Sequence, residues 1–176
     1  MAARILVAGV GNIFLRDDGF GPEVARQFMT DAAATRPGVR VVDYGIRGVH
    51  LVYDLLDGVD RLILVDALPA RGARAAAGDI RMLQIRPEDV AGRSPGAADA
   101  HSMDPLAALD GLHALGGTLP LTYLVGCVAG DTEEGMGLSD QFAASVPEAL
   151  AAVRLLISDL PMTDLTAFTT QESGGE

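Results

Sequence analysis

The sequence predicts an α/β domain, a three-layer sandwich with a mostly parallel five-stranded sheet covered by helices on both faces. Two observations predict it. Strand-like apolar runs alternate with helical stretches along the chain, the pattern of strands joined by helical crossovers. The runs are also continuous rather than alternating, as expected where both faces of a strand are buried; Arg4 to Ala8 and Arg61-Leu62-Ile63-Leu64-Val65-Asp66 are the clearest.

The first run ends on Gly9-Val10-Gly11, where glycine lets the backbone turn sharply. Asp17 and Asp18 follow, just before a segment in which Phe20, Val24 and Phe28 recur at helical spacing. Pro22 stands in its first turn, where a missing N–H does no harm. One of the two aspartates is therefore expected either to cap this helix or to do chemistry.

The remaining elements follow in order. The first helix is expected to end near Thr35-Arg36-Pro37-Gly38, and Val39 to Tyr44 is a second strand ending beside Asp43. After the loop Gly45-Ile46-Arg47-Gly48 comes a short helix, Val49 to Leu56, and then the third strand, which ends on Asp66. Asp79 to Ile85 is a more amphipathic fourth strand, expected at an edge and antiparallel because no helix separates it from the third. Arg86 to Ala100 is a long loop without periodic pattern that delivers His101, and such loops are more often functional than idle. Asp104-Pro105 opens a helix to about Leu115, and Leu121 to Cys127 is the fifth strand. Ser139 leads into a terminal helix that Pro147 is expected to kink or divide, with Ser145-x-x-Glu148 capping a second segment. Residues 1–159 are expected to form a single domain and 160–176 a disordered tail.

Composition narrows the function. A formal charge of -11 argues against nucleic acid, which demands a basic stripe. No apolar run reaches spanning length, and Met1-Ala2-Ala3-Arg4 leads directly into a strand, so a soluble, cytoplasmic protein without membrane contact is expected. The single Cys127 closes an apolar run and is expected to be buried and structural.

In a parallel sheet of this kind, ligands bind beyond the carboxyl ends of the strands. Asp18, Asp66 and His101 all fall on that rim, and two carboxylates with one imidazole suit a divalent metal such as nickel, zinc or manganese. Each also has an ordinary alternative: Asp18 as a helix cap, Asp66 as a strand-end residue binding loop amides, His101 as a solvated loop residue. His50 opens the second helix near the same rim, whereas His113 lies at the far end of a helix and reads as surface. A dinucleotide site is the competing reading of Gly9-x-Gly11. It fails at Phe14, where the fingerprint needs a third glycine, and at Asp17 and Asp18, which would repel a pyrophosphate, although Asp43 imitates the ribose-binding acid.

Three segments, Gly9-Val10-Gly11-Asn12 through Asp17-Asp18-Gly19-x-Gly21, Leu64-Val65-Asp66-Ala67, and Asp99-Ala100-His101-Ser102-Met103-Asp104-Pro105, resemble the signatures of the hydrogenase maturation proteases. The similarity runs from Arg4 to about Leu156 and takes in the Gly45 to Gly48 loop and Gly135 to Ser139. The resemblance implies an endopeptidase that trims a C-terminal extension from the large-subunit precursor of a [NiFe]-hydrogenase. It implies that Asp18, Asp66 and His101 bind nickel already inserted in that precursor, so that the metal arrives with the substrate, and that other divalent metals can substitute. Since no serine or cysteine has an evident base partner, water is the expected nucleophile. Either the metal or a carboxylate, Asp18 or Asp66, activates it. The non-enzymatic alternative is a metal- or nucleotide-binding regulatory module on the same fold.

Overall fold

The computed structural model describes residues 3–69, 76–92 and 104–158. Strands β1 (Ile5–Val10), β2 (Val39–Gly45), β3 (Arg61–Leu68), β4 (Ile80–Ile85) and β5 (Leu121–Val128) form one sheet in the order β2-β1-β3-β5-β4. β1 pairs in parallel with β2 and β3, and β3 with β5, while β4 lies at the edge, antiparallel to β5. That exception has a simple cause. The connection from Pro69 to Asp79 is shorter than the dozen or so residues a parallel crossover needs.

Side chains of the central strands alternate between two cores. Ile5, Val7, Ile63, Val65, Tyr123 and Val125 meet helices α1 (Phe20–Phe28) and α5 (Asp140–Ile157) on one face. Leu6, Ala8, Leu62, Leu64 and Leu124 meet α2 (Gly48–Leu56), α3 (Pro87–Val90) and α4 (Pro105–Ala114) on the other. Phe20 and Phe142 join α1 to α5 edge to face, with ring centroids 5.4 Å apart. This is the three-layer sandwich expected, covered on both faces.

Several elements differ from expectation. α1 stops at Phe28 rather than near Thr35, because Asp31 accepts the amide of Ala33 and starts a separate 3-10 turn, Ala32–Thr35. α3, one turn long, occupies part of the expected loop; four residues are too few to show a period. Pro147 does not divide α5, which runs unbroken from its Ser139 cap to Ile157. Ser145 caps no second segment: its hydroxyl donates to the carbonyls of Gly78 and Gln141, at 2.7 and 3.1 Å, and so fastens α5 to the approach to β4. The tail expected to be disordered, 160–176, lies outside the described residues, as does His101.

Candidate acidic site at the sheet switch point

From β1 the chain passes outward to β2 and then returns to β3 on the other side, so strand order reverses between β1 and β3. Glycines bring the first helix directly onto this point. A Cβ on Gly9 would lie 2.3 Å from the carbonyl oxygen of Gly21, and one on Gly21 would lie 2.2 Å from those of Val10 and Val65. Gly11 adopts φ +136 and passes so close to Asp18 that a Cβ would fall 1.9 Å from its carbonyl oxygen. The glycine spacing in the first signature is therefore a packing requirement: α1 sits with its N-terminus wedged over the ends of β1 and β3.

Asp17 and Asp18 lie in a 3-10 turn, Arg16–Gly19, that precedes α1. Neither caps α1, whose N-cap is Gly19 without a side-chain bond. Asp17 is completely buried and accepts the amides of Asp131 and Ser139, at 2.9 and 2.8 Å, and the hydroxyl of Ser139 at 3.1 Å. Asp18 instead faces the loop after β1, where its Oδ2 accepts the amide of Asn12 at 2.7 Å. Burial pushes its carboxyl above the usual carboxylate range, partly offset by that amide. The same bond weighs against a phosphate here, since a carboxylate already takes the amide that an anion would use.

Asp66 stands near the end of β3, in register with Gly126 of β5, and its Oδ1 accepts the amide of Ala67 at 2.8 Å. Burial holds its carboxyl well above the ordinary range; the charge of Asp18 raises it further, and that of Asp104 adds a smaller push. Asp18 and Asp66, from segments almost fifty residues apart, thus meet within electrostatic reach at the switch point. Asp104 joins them as the N-cap of α4, accepting the amides of Leu106 and Ala107 at 2.9 and 3.3 Å. A buried carboxyl pushed up by desolvation and by a neighbouring carboxylate is relieved by a divalent cation or by a proton, and a carboxylate so raised is a better general base than an exposed one.

Among the described residues no group of three or more His, Cys, Asp or Glu side chains is gathered to hold a metal ion. His50, in the first turn of α2, and His113, in the last turn of α4, are both exposed. Cys127 is buried and free, as expected, and burial pushes its thiol up to about 12. Sequence reasoning did not single out Asp17 from its neighbour, and nothing in a pair of adjacent aspartates says which one turns inward. Among the described residues no helix is long and apolar enough to cross a membrane.

The fold and site define an α/β sandwich with an acidic centre at its topological switch point. No family model matches the chain. The hydrogenase 2 maturation protease of Escherichia coli is 29% identical over 150 residues, covering 85% of this chain and 88% of that protein. The hydrogenase expression/formation protein HupD of Bradyrhizobium diazoefficiens is 42% identical over 65 residues, but the match spans only 33% of its length. Among solved structures, the hydrogenase maturating endopeptidase HybD of E. coli superposes with TM-score 0.67 at 27% identity, over 85% of this chain and 89% of that one. A hydrogenase 2 maturation peptidase from a thaumarchaeote gives 0.64 at 26% identity, over 88% and 97%. Along most of its length the chain is thus similar, in sequence and in fold, to hydrogenase maturation proteases.

Proposed function

We propose that this protein is an endopeptidase that removes the C-terminal extension of a nickel-loaded [NiFe]-hydrogenase large-subunit precursor. The observation that carries the reading is that Asp18 and Asp66, each held by a backbone amide, lie within electrostatic reach of each other where strand order reverses between β1 and β3. Two desolvated carboxylates within electrostatic reach of each other form an incomplete ligand set that gains most from a cation brought in by the substrate. His101 is the proposed third ligand, from the segment leading to the Asp104 cap. Water is the nucleophile; Asp18 or Asp66, whichever is not bound to the nickel, accepts its proton, and the nickel polarises the scissile carbonyl or the water. Because the metal travels with the precursor, cleavage reports that loading is complete.

A polypeptide substrate also suits the surroundings. Phe14 and Met136 project from the loops after β1 and β5, 61% and 73% exposed, and Met136 lines a groove of about 520 Å³ with Ile13, Pro22 and Leu138 and with the charged side chains of Arg16, Glu23 and Arg26. Large apolar side chains left in water on neighbouring loops favour a protein partner over a small polar one.

The test is the mass of a nickel-loaded precursor before and after incubation. Loss of a C-terminal peptide with the parent protein, absent with Asp18→Ala and absent with nickel-free precursor, is the expected result. An unchanged mass with loaded precursor, together with tight metal uptake by the protein alone, would replace the peptidase reading with that of a binding module.

A further inference from the structure

Building on the peptidase reading, we infer that Asp17 is a positioning residue, whose buried carboxylate fixes the direction in which Asp18 presents its own. The loop after β1 has turn hydrogen bonds of its own, Leu15 N to Asn12 O and Asp18 N to Leu15 O, and is also tied to a distant part of the chain. It lies as a short parallel ribbon along the connection between β5 and α5: the Arg16 amide donates to Gly135 O at 3.0 Å, the Gly135 amide to Phe14 O at 2.9 Å, and the Asp17 amide to Asp131 O at 3.0 Å. Arg16 then takes φ 44, a left-handed conformation that a side chain adopts only when its surroundings impose it. That twist separates the two aspartates, sending Asp17 inward to three donors and Asp18 outward to the amide of Asn12.

The pin is specific to a carboxylate. All of the groups around Asp17 donate, so both oxygens are needed as acceptors, and an asparagine in its place turns an NH2 group toward an N–H or O–H. Without the pin only the backbone ribbon is left to impose the twist at Arg16, and Asp18 leaves the Asn12 amide more readily. Asp17 touches neither substrate nor metal. It acts through Asp18, and its loss is read in the turnover step rather than in precursor binding, because small misplacements of a reacting group cost rate steeply.

The experiment compares Asp17→Asn and the milder Ser139→Ala with the parent protein. Hydrogen exchange is followed at the amides of Asn12 and, as sheet references, Val7 and Leu64; kcat and KM are measured on nickel-loaded precursor. In Asp17→Asn the Asn12 amide is expected to lose protection by about tenfold or more while the sheet amides hold. kcat is expected to fall by about tenfold or more with KM nearly unchanged. Ser139→Ala moves both in the same direction by less, and it decides the matter alone if Asp17→Asn does not fold. Unchanged Asn12 protection in a folded variant overturns the inference, and so does an equal loss at Asn12, Val7 and Leu64, which would mean a clamp serving stability only. If the parent protein leaves the precursor uncut, the peptidase reading fails, and the exchange measurement still decides the role of Asp17.

Discussion

Gly21 of α1 lies so close to Val65 of β3 that a Cβ on the glycine would come within 2.2 Å of the valine's carbonyl oxygen. Backbone cannot rotate away as a side chain can, so Gly21→Ala must lift the helix from the sheet. We expect a loss of about 1–3 kcal/mol or more, read as a lower urea midpoint. Gly111 provides the contrast. It lies inside α4, and among the described residues a new Cβ would meet no atom within 4 Å beyond its chain neighbours and the helix's own backbone, so Gly111→Ala should stabilise by about 0.5–1 kcal/mol through helix propensity alone.

Asp66 contributes a pH dependence to stability. Its folded pKa is raised, so the native state holds the proton more tightly than the unfolded chain. Stability from this residue is therefore fully present below the ordinary carboxylate pKa and is lost as pH rises from there through the folded value. Asp66→Asn should have a higher urea midpoint than the parent at pH 7, and the gap should close as pH falls toward 4, the usual range of an unfolded aspartate. The same variant should not cleave precursor.

Cys127 should be inert in the folded protein. Its thiol is buried in the core against β3 and α5 and titrates only at about 12. A thiol reagent at pH 8 should label it only at the rate of unfolding, so adding urea through the transition should speed labelling in step with loss of structure.

Phe14 and Met136 offer a separation of binding from chemistry. Replacing either by serine removes exposed apolar surface without disturbing the core, so stability should stay within about 0.5 kcal/mol. If the precursor packs on this ridge, KM should rise by about three- to tenfold with kcat retained, in line with about 1 kcal/mol for a partly buried side chain. Unchanged KM in both variants would place the docking surface elsewhere.

β1, β3 and β5 were legible because they are nearly pure apolar runs, and the edge place and reversed direction of β4 because it is amphipathic and no helix separates it from β3; that it would pair with β5 rather than with β3 was not read. α1 was read too long: Ala32-Ala33-Ala34 favours helix locally, but Asp31 is held by Arg154 of α5, at 2.8 and 2.7 Å, and its cap on Ala33 begins a new turn. The unbroken α5 was misread for a related reason. A proline deletes one helical hydrogen bond, while Phe142, Val146, Val153 and Ile157 keep both halves packed against the sheet. At the site, the meeting of Asp18 and Asp66 follows from strand order. Asp17's role did not show, because its donors come from residues more than a hundred positions away.

Those long spans govern the order in which the molecule is completed during synthesis. β4 leaves the ribosome before β5, its partner in the sheet, and the loop bearing Asp18, made more than a hundred residues before Ser139, stays unpinned until that serine emerges. Chains are built from the N-terminus while contacts distant in sequence form slowly. The earliest-made part of the site is thus the last to take its final shape, and a nascent chain still short of α5 carries the carboxylates without the geometry to use them.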